Sequence, residues 1–382
     1  MDNKNQMKIS ENERPLRESI RTEKFREATK DCALPDSNDD YLLRWLIARD
    51  FDLIKAEKML RDSMEWRRNF KIDGMLDNYK APEVLDRYFT GGHIGVDKNK
   101  NYLIAVRYGA MDLKGILRSA KKRDYLMHVI GVAERCVTAM RNNPCKFKQS
   151  PDAISQLTMI FDMNGFSMRH ITYKPGIDTV LQLLQVYEAN YPELLRRVFV
   201  INTANKVQIF SNNSNQWKAA LLEDIDEDQL PVCYGGTLTD PDGNPNCFNI
   251  GGEVPTSYYL NGESDVSYKK PLLISRGSKE RLEHHVTNPN SILKWDFHSE
   301  DGDIAFAVYR EKEGGLIPIV PHERVDCHLS SEEGEIRCDY TGVYIVEFDN
   351  SFSYFRSKKI WYSISIESEN FQNGTINRDN FN

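Results

Sequence analysis

Between residues 12 and 80, apolar positions recur at helical spacing. Leu42, Leu43, Leu46, Ile47, Ile54, Met59 and Leu60 are separated by Arg, Asp, Glu and Lys, the pattern of helices with one buried face. Asp39 and Asp40 precede Tyr41 and predict a helix start there, because acid is favourable near a helix N-terminus. Near Phe89 the period changes. His93–Val96 and Tyr102–Arg107 are short apolar runs around a polar Asp97-Lys-Asn-Lys-Asn101 turn, which predicts a hairpin. Lys122 to Arg141 is helical again. Gln156 to Phe161 predicts a strand whose apolar run Leu157-Thr-Met-Ile-Phe161 implies burial on both faces. Ile177, Val180, Leu181, Leu184 and Tyr187 then repeat as on an amphipathic helix, and Val198-Phe-Val-Ile201 follows as another buried strand. Strand, helix and strand at this spacing predict a right-handed parallel βαβ unit, and so an α/β domain.

Beyond residue 239 the character of the chain shifts. Residues 239–252 are dense in Pro and Gly and mark a boundary. After them the helical period is lost. Ile292-Leu-Lys-Trp-Asp-Phe297, Ile304 to Val308, Val343 to Phe348 and Lys359 to Ile366 read as short strands. Strands so spaced predict an antiparallel β-sandwich. The pattern divides the chain into a helical cap (1–80), an α/β domain (81–251), a sandwich (252–367) and a polar, Asn-rich disordered tail (368–382).

Charge narrows the function. Fifty-seven acidic against fifty basic residues give a net charge of −7, which argues against nucleic acid as a partner. Lys121-Lys-Arg123, Arg196-Arg197 and Lys358-Lys359 are small basic clusters able to meet anionic lipid, at about 1 kcal/mol per charge. The first thirty residues are charged throughout, and no run approaches the length of a membrane span. The expectation is a cytosolic protein with transient peripheral membrane contact.

Known chemical signatures fail one after another. Gly165-Phe-Ser-Met-Arg169 lacks the second glycine of a nucleophile elbow. No Gly-rich phosphate loop occurs. His322-Glu323 has no second His at metalloprotease spacing, and Asp240-Pro-Asp-Gly-Asn244 departs from a calcium loop at Pro245 and Gly251. His284 and His285 are neighbours that a strand would point to opposite faces. The seven cysteines are odd in number and form no C-x-x-C pair. The sequence therefore predicts no catalytic residue, metal or cofactor.

One resemblance spans nearly the whole chain. Tyr41-Leu-Leu-Arg-Trp-Leu-Ile-Ala-Arg-Asp-Phe-Asp-Leu53 resembles the helical cap of the CRAL-TRIO lipid-binding family. Ile160-Phe-Asp-Met-Asn-Gly-Phe166, Asn190-Tyr-Pro-Glu193 with the strand after it, and Leu230-Pro-Val-Cys-Tyr-Gly-Gly-Thr237 follow in the family's order, and Gly342 to Ser353 resembles a GOLD domain. The resemblance implies a mixed sheet and helices around an apolar pocket for one lipid, of the phosphoinositide, phosphatidylcholine, tocopherol, squalene or retinoid class. Such a pocket is useful because water exposure costs about 0.8 kcal/mol per CH₂, or on the order of 13 kcal/mol for a sixteen-carbon chain.

The resemblance also assigns residues. Glu193, with Lys206 as the downstream cation, implies a headgroup site, although a Glu just after Pro192 also suits a helix start. Leu157, Ile160, Phe161, Ile177, Val180, Leu181, Leu184 and Phe199 would line the pocket or fill ordinary core. One departure stands out. Asn202-Thr-Ala-Asn-Lys206 runs at once into Val207-Gln-Ile-Phe210, where the family carries a gating helix. The implied partners are a hydrophobic lipid and a membrane surface. The alternative is a trafficking or regulatory protein that recruits partners through the sandwich and carries a gate-less, vestigial pocket.

Overall fold

The computed structural model describes residues 14–143, 155–203, 214–247, 249, 251–260, 267 and 269–368. Lys206, the junction from Ala204 to Phe210, and tail residues 369–382 lie outside them. The chain forms two compact units, Met1–Tyr259 and Leu260–Asn382.

The first unit opens with helices α1 (Arg14–Ala28), α2 (Asp39–Ile47), α3 (Leu53–Asn69) and the single turn α4 (Met75–Asn78). Helix α2 starts at Asp39, two residues before the Tyr41 start that the acids suggested. Asn38 is the cap, its side chain accepting from the Tyr41 amide, and Asp39 and Asp40 fill the first turn. The apolar stripes of α1–α3 converge on Phe25, Leu42, Trp45, Leu46, Leu60 and Met64.

After α5 (Glu83–Tyr88) come β1 (Gly91–Val96), β2 (Tyr102–Val106), α6 (Leu113–Ser119), α7 (Lys122–Asn142), β3 (Leu157–Asp162), α8 (Met168–Thr172), α9 (Lys174–Asn190), β4 (Leu195–Ile201) and α10 (Ser214–Asp224). The sheet order is β1-β2-β3-β4, with β1 and β2 antiparallel and the other neighbours parallel. The predicted hairpin and βαβ crossover both form. One sheet face packs Ile94, Leu103, Ala105, Ile160, Phe199 and Ile201 against Trp217 and Leu221 of α10. On the other, Tyr102, Ile104 and Leu157 pack against Cys136 and Met140 of α7.

A buried ion pair fixes the cap to this domain. Arg67 of α3 gives Glu134 of α7 two hydrogen bonds, of 2.9 and 3.0 Å, and both residues are buried. Asp73 takes a third from the Arg67 Nε (2.7 Å), and the Tyr191 hydroxyl donates to Glu134 (2.7 Å). Burial pulls the Arg67 pKa down, but the bonds and charges of Glu134 and Asp73 leave it raised. Removing one partner of such a pair costs about 3–5 kcal/mol, because the other charge stays buried alone.

The second unit is all β: β5 (Lys270–Ile274), β6 (Lys279–Val286), β7 (Ser291–Ser299), β8 (Ile304–Lys312), β9 (Gly315–Val325), β10 (Glu332–Cys338), β11 (Gly342–Asp349) and β12 (Lys358–Glu367). Two antiparallel sheets, ordered β10-β7-β12-β5 and β6-β11-β8-β9, enclose Trp295, Phe297, Phe306, Val346, Phe348 and Ile360. Strict alternation on β7 explains the fit: every second residue is buried from Ser291 to Ser299. Glu347 and Asp349 are buried near His322, but Arg281 (2.6 Å) and Lys279 (3.6 Å) already neutralise Glu347.

Candidate functional site

The crossover from β3 to β4 has an unusual surface. Pro175 sits in the first turn of helix α9, where a missing N–H costs nothing. The helix packs on α3, α6 and α7. Gly176 makes the contact with α6 close: a Cβ there would meet Leu113 at 3.2 Å. The apolar residues of α9 form two stripes. Val180, Leu183 and Tyr187 lean on the core of α6 and α7, and Val186 on that of α7 and Ile72. Ile177, Leu181 and Leu184 point away from it and are 37, 53 and 55% exposed.

The exposed stripe has company. Phe166, Met168 and Ile171 before α9, and Leu195 and Val198 after it, are also exposed. Half of the sixteen exposed large apolar side chains among the described residues thus lie between Phe166 and Val198. This concentration makes the stretch the candidate for a binding surface, since exposed apolar residues scattered singly need no explanation. On the sheet, Val198 pairs with Met159 and Val200 with Phe161. By strand alternation these four share the face of Leu157. An aromatic row closes its end: Phe161 stacks on Tyr108 at 5.2 Å, and Phe166 lies 6.1 Å from Tyr108 and 4.9 Å from His170. The predicted burial of both strands on two faces fails here. Met159 and Phe161 are only half-buried, and Arg196, Arg197 and Val198 are exposed.

The eight apolar residues singled out in the sequence fall into three places. Phe161, Ile177, Leu181 and Leu184 belong to this open surface. Leu157 and Val180 sit in the neighbouring cores under α7 and α6. Ile160 and Phe199 are register partners and face the other way, into the core under α10. Met159, Val198, Phe166, Met168, Ile171 and Leu195 were not singled out. The period of two from Leu157 and Phe161 already points to Met159.

Glu193 has a different setting. It takes a left-handed conformation (φ 54°), and its carbonyl accepts from Arg44 Nη1 (2.9 Å) and Gln156 Nε2 (3.1 Å). Arg44 Nη2 donates to the Ser155 carbonyl as well. Burial lowers the Arg44 pKa to about 10, so it stays cationic at neutral pH. A cavity of about 140 Å³ opens beside it, lined by Arg44, Tyr41, Arg67, Arg141, Tyr191 and Pro192 among others. Asp36, Asp40 and Glu134 line the same cavity, and Glu134 is the partner of Arg67, so Arg44, held by carbonyls, is the cation this recess offers a polar group.

A second polar cleft, about 460 Å³, lies at the C-terminal ends of β2, β3 and β4, where open α/β sheets commonly bind ligands. Its centre is buried Asp162, which accepts from the Asn202 side chain (2.8 Å) and the Asn164 amide (2.9 Å), with Arg107 at 3.7 Å. Tyr234 borders it, and burial raises its hydroxyl pKa. Gly236 of the same motif is required by crowding, because a Cβ would lie 2.0 Å from the Leu230 carbonyl oxygen. None of the eight predicted apolar residues lines either cleft.

An α/β domain whose strand crossover carries an exposed apolar stripe suits the binding of amphiphilic or apolar molecules. Residues 86–212 match the family model for the CRAL/TRIO domain, and residues 310–366 match that for Golgi-dynamics membrane-trafficking domains. The chain thus combines a CRAL/TRIO domain with a Golgi-dynamics domain. The CRAL/TRIO family is one of lipid-binding and lipid-transfer proteins. Protein ctg-1 of Caenorhabditis elegans is 25% identical over 358 residues, covering 86% of this chain and 92% of the worm protein. Among solved structures, that of Sfh5 aligns with 66% of this chain and 96% of its own, at 16% identity and a TM-score of 0.46. No helix among the described residues is long and apolar enough to cross a membrane.

Proposed function

We propose that this chain binds one hydrophobic lipid on the apolar surface of its β3-to-β4 crossover and exchanges it with membranes from the cytosol. The observation that carries the reading is the outward stripe Ile177–Leu181–Leu184, exposed on the helix that links β3, with half-buried Met159 and Phe161, to β4, with exposed Val198. Water-exposed apolar area costs about 25 cal/mol per Å², and a lipid chain laid on this surface covers both partners at once. In this reading Leu157, Phe161, Ile177, Val180, Leu181 and Leu184 contact or back the lipid chain. Ile160 and Phe199 support the sheet from behind. Glu193, Lys206 and Arg44 serve a polar headgroup. The lipid belongs to the phosphoinositide, phosphatidylcholine, tocopherol, squalene or retinoid class, and the role is binding rather than catalysis.

The test is lipid extraction and mass spectrometry on the purified chain, paired with transfer between vesicles. One lipid class at near-stoichiometric amount, with measurable transfer, is expected. A folded protein that yields no lipid and moves none overturns the reading. The openness of the apolar surface favours one rival, in which the surface stays empty and the Golgi-dynamics domain recruits a trafficking partner. That rival predicts partner capture unaffected by Leu181→Glu.

A further inference from the structure

Four large apolar side chains of the second unit are exposed among the described residues: Leu273, Tyr340, Tyr354 and Phe355. Tyr340 has a partner, because the Arg310 guanidinium lies 4.1 Å over its ring. Tyr354 and Phe355 are 82 and 89% exposed and adjacent, in the loop joining β11 to β12. The base of that loop is firmly held. Buried Asn350 donates from its side-chain amide to the carbonyls of Ile274 (3.3 Å), Ser275 (3.2 Å) and Arg356 (3.0 Å). Its backbone exchanges bonds with Gly277, Ser278 and Ser353. Phe352 is clamped between Arg324 at 4.0 Å and Lys358 at 4.6 Å. A fixed base thus carries two rings outward into water.

An apolar side chain and two arginines lie on the segments at the base of this loop. Leu273, 65% exposed, pairs in register with Lys359, just past the end of the same loop. Arg356 follows Phe355 directly, and Arg276 sits in the β5–β6 turn that Asn350 grips. Neither arginine has an ion pair among the described residues. The flanking lysines differ: Lys358 is bound by Asp303 (3.0 Å) and Lys359 by Glu300 (2.6 Å). The pairing also disposes of Glu300 and Asp303 in the β7–β8 turn and leaves Asp301 as its one carboxylate outside an ion pair among the described residues.

We propose that the β11–β12 loop is a membrane-docking tip. Phe355 and Tyr354 enter the boundary between headgroups and acyl chains, and Arg276 and Arg356 meet anionic headgroups. Tyrosine with its polar edge and flanking cations settle at that boundary, and phenylalanine supplies the apolar area that enters below it. Area decides against a protein partner. A stable protein interface covers about 800 Å² per side, whereas two aromatic side chains supply roughly 300–500 Å². A bilayer needs only the tip to enter. This inference is independent of whether the first unit carries lipid, since docking is measured without transfer.

The test uses the full chain and sedimentation with vesicles of phosphatidylcholine alone or mixed with phosphatidylserine. Tyr354→Ser with Phe355→Ser should weaken binding to both vesicle types by about tenfold or more, with the unfolding midpoint unchanged. Arg276→Gln with Arg356→Gln should weaken binding to the phosphatidylserine vesicles by about fivefold per charge and leave phosphatidylcholine binding nearly unaltered. Phe355→Trp should show a blue-shifted emission when vesicles are added. Three results overturn the proposal: no sedimentation with either vesicle, full binding by the double serine variant, or indole emission from the Phe355→Trp variant that stays water-like on vesicles that carry the protein. Loss of a protein partner with vesicle binding intact would mark the tip as a protein-recognition surface instead.

Discussion

His128 sits on α7 with its ring edge-on to Phe89, the ring centroids 4.8 Å apart. Burial, and then the nearby charge of Arg135, lower its pKa to about 4. An unfolded His titrates near 6.5. Above that pH both states are neutral and the residue contributes no pH dependence. As pH falls from about 6.5 to about 4, the unfolded chain takes up the proton and the native chain does not, so stability declines. The slope is at most about 1.4 kcal/mol per pH unit, for a total on the order of 2–3 kcal/mol. Urea unfolding of wild type and His128→Asn at pH 7 and pH 5 checks this. The wild type should lose more stability than the variant over that interval, and parallel losses would contradict a native neutral histidine. The arginines make the complementary point about charge. Arg67 is neutralised by carboxylates. Arg44 is held by backbone carbonyls 111 and 149 residues away in sequence and keeps its positive charge for the recess it lines.

Helix α9 carries a packed stripe and an exposed stripe on its circumference. Leu181→Glu with Leu184→Glu places charge on exposed positions, where substitutions usually change stability by no more than about 0.5 kcal/mol. Lipid transfer should fall sharply with the unfolding midpoint held. Ile160→Ala is the control on the far side of the sheet, where a buried large-to-small change costs about 2–5 kcal/mol. It should lower the midpoint strongly, and lipid uptake only as far as folded protein is lost. If the paired glutamates transfer lipid normally, the stripe is not the site. This helix also shows what could be read from residues alone. Its existence and the parallel crossover it makes follow from the period that Ile177 to Tyr187 sustain, while its full extent of seventeen residues does not. The choice of buried stripe does not, because Val180, Leu183 and Tyr187 satisfy the helical period as well as Ile177, Leu181 and Leu184. Only the positions of α6 and α7 break the tie. Ile160 and Phe199 illustrate the same limit on strands: an apolar run names the strand but not which parity faces the ligand side. Arg44 was out of reach for another reason, since its partners carry no side-chain signal and lie far along the chain.

At the scale of the molecule, an apolar surface that is stable in water but better covered should report its ligand through folding itself. A lipid that binds the native first unit and not the unfolded chain stabilises it by RT ln(1 + [L]/Kd), about 2.7 kcal/mol at a hundredfold excess over Kd. The surface between Phe166 and Val198 belongs wholly to the Met1–Tyr259 unit. The shift should therefore appear in Trp45, Trp66 and Trp217 of that unit and spare the sandwich core around Trp295. Delipidated protein should bind a hydrophobic fluorescent dye, release it on adding the matching lipid, and unfold later as lipid concentration rises. Hydrogen exchange resolved by segment is the decisive measurement, because it assigns the gain to residues rather than to the chain. Protection that grows across α9 and β4 with each lipid addition, and stays constant across β6, β8 and β11, places the ligand on the crossover. Protection that grows in the sandwich instead would move the lipid site to the other unit. An unfolding midpoint indifferent to every lipid class would mean that the exposed stripe serves another purpose.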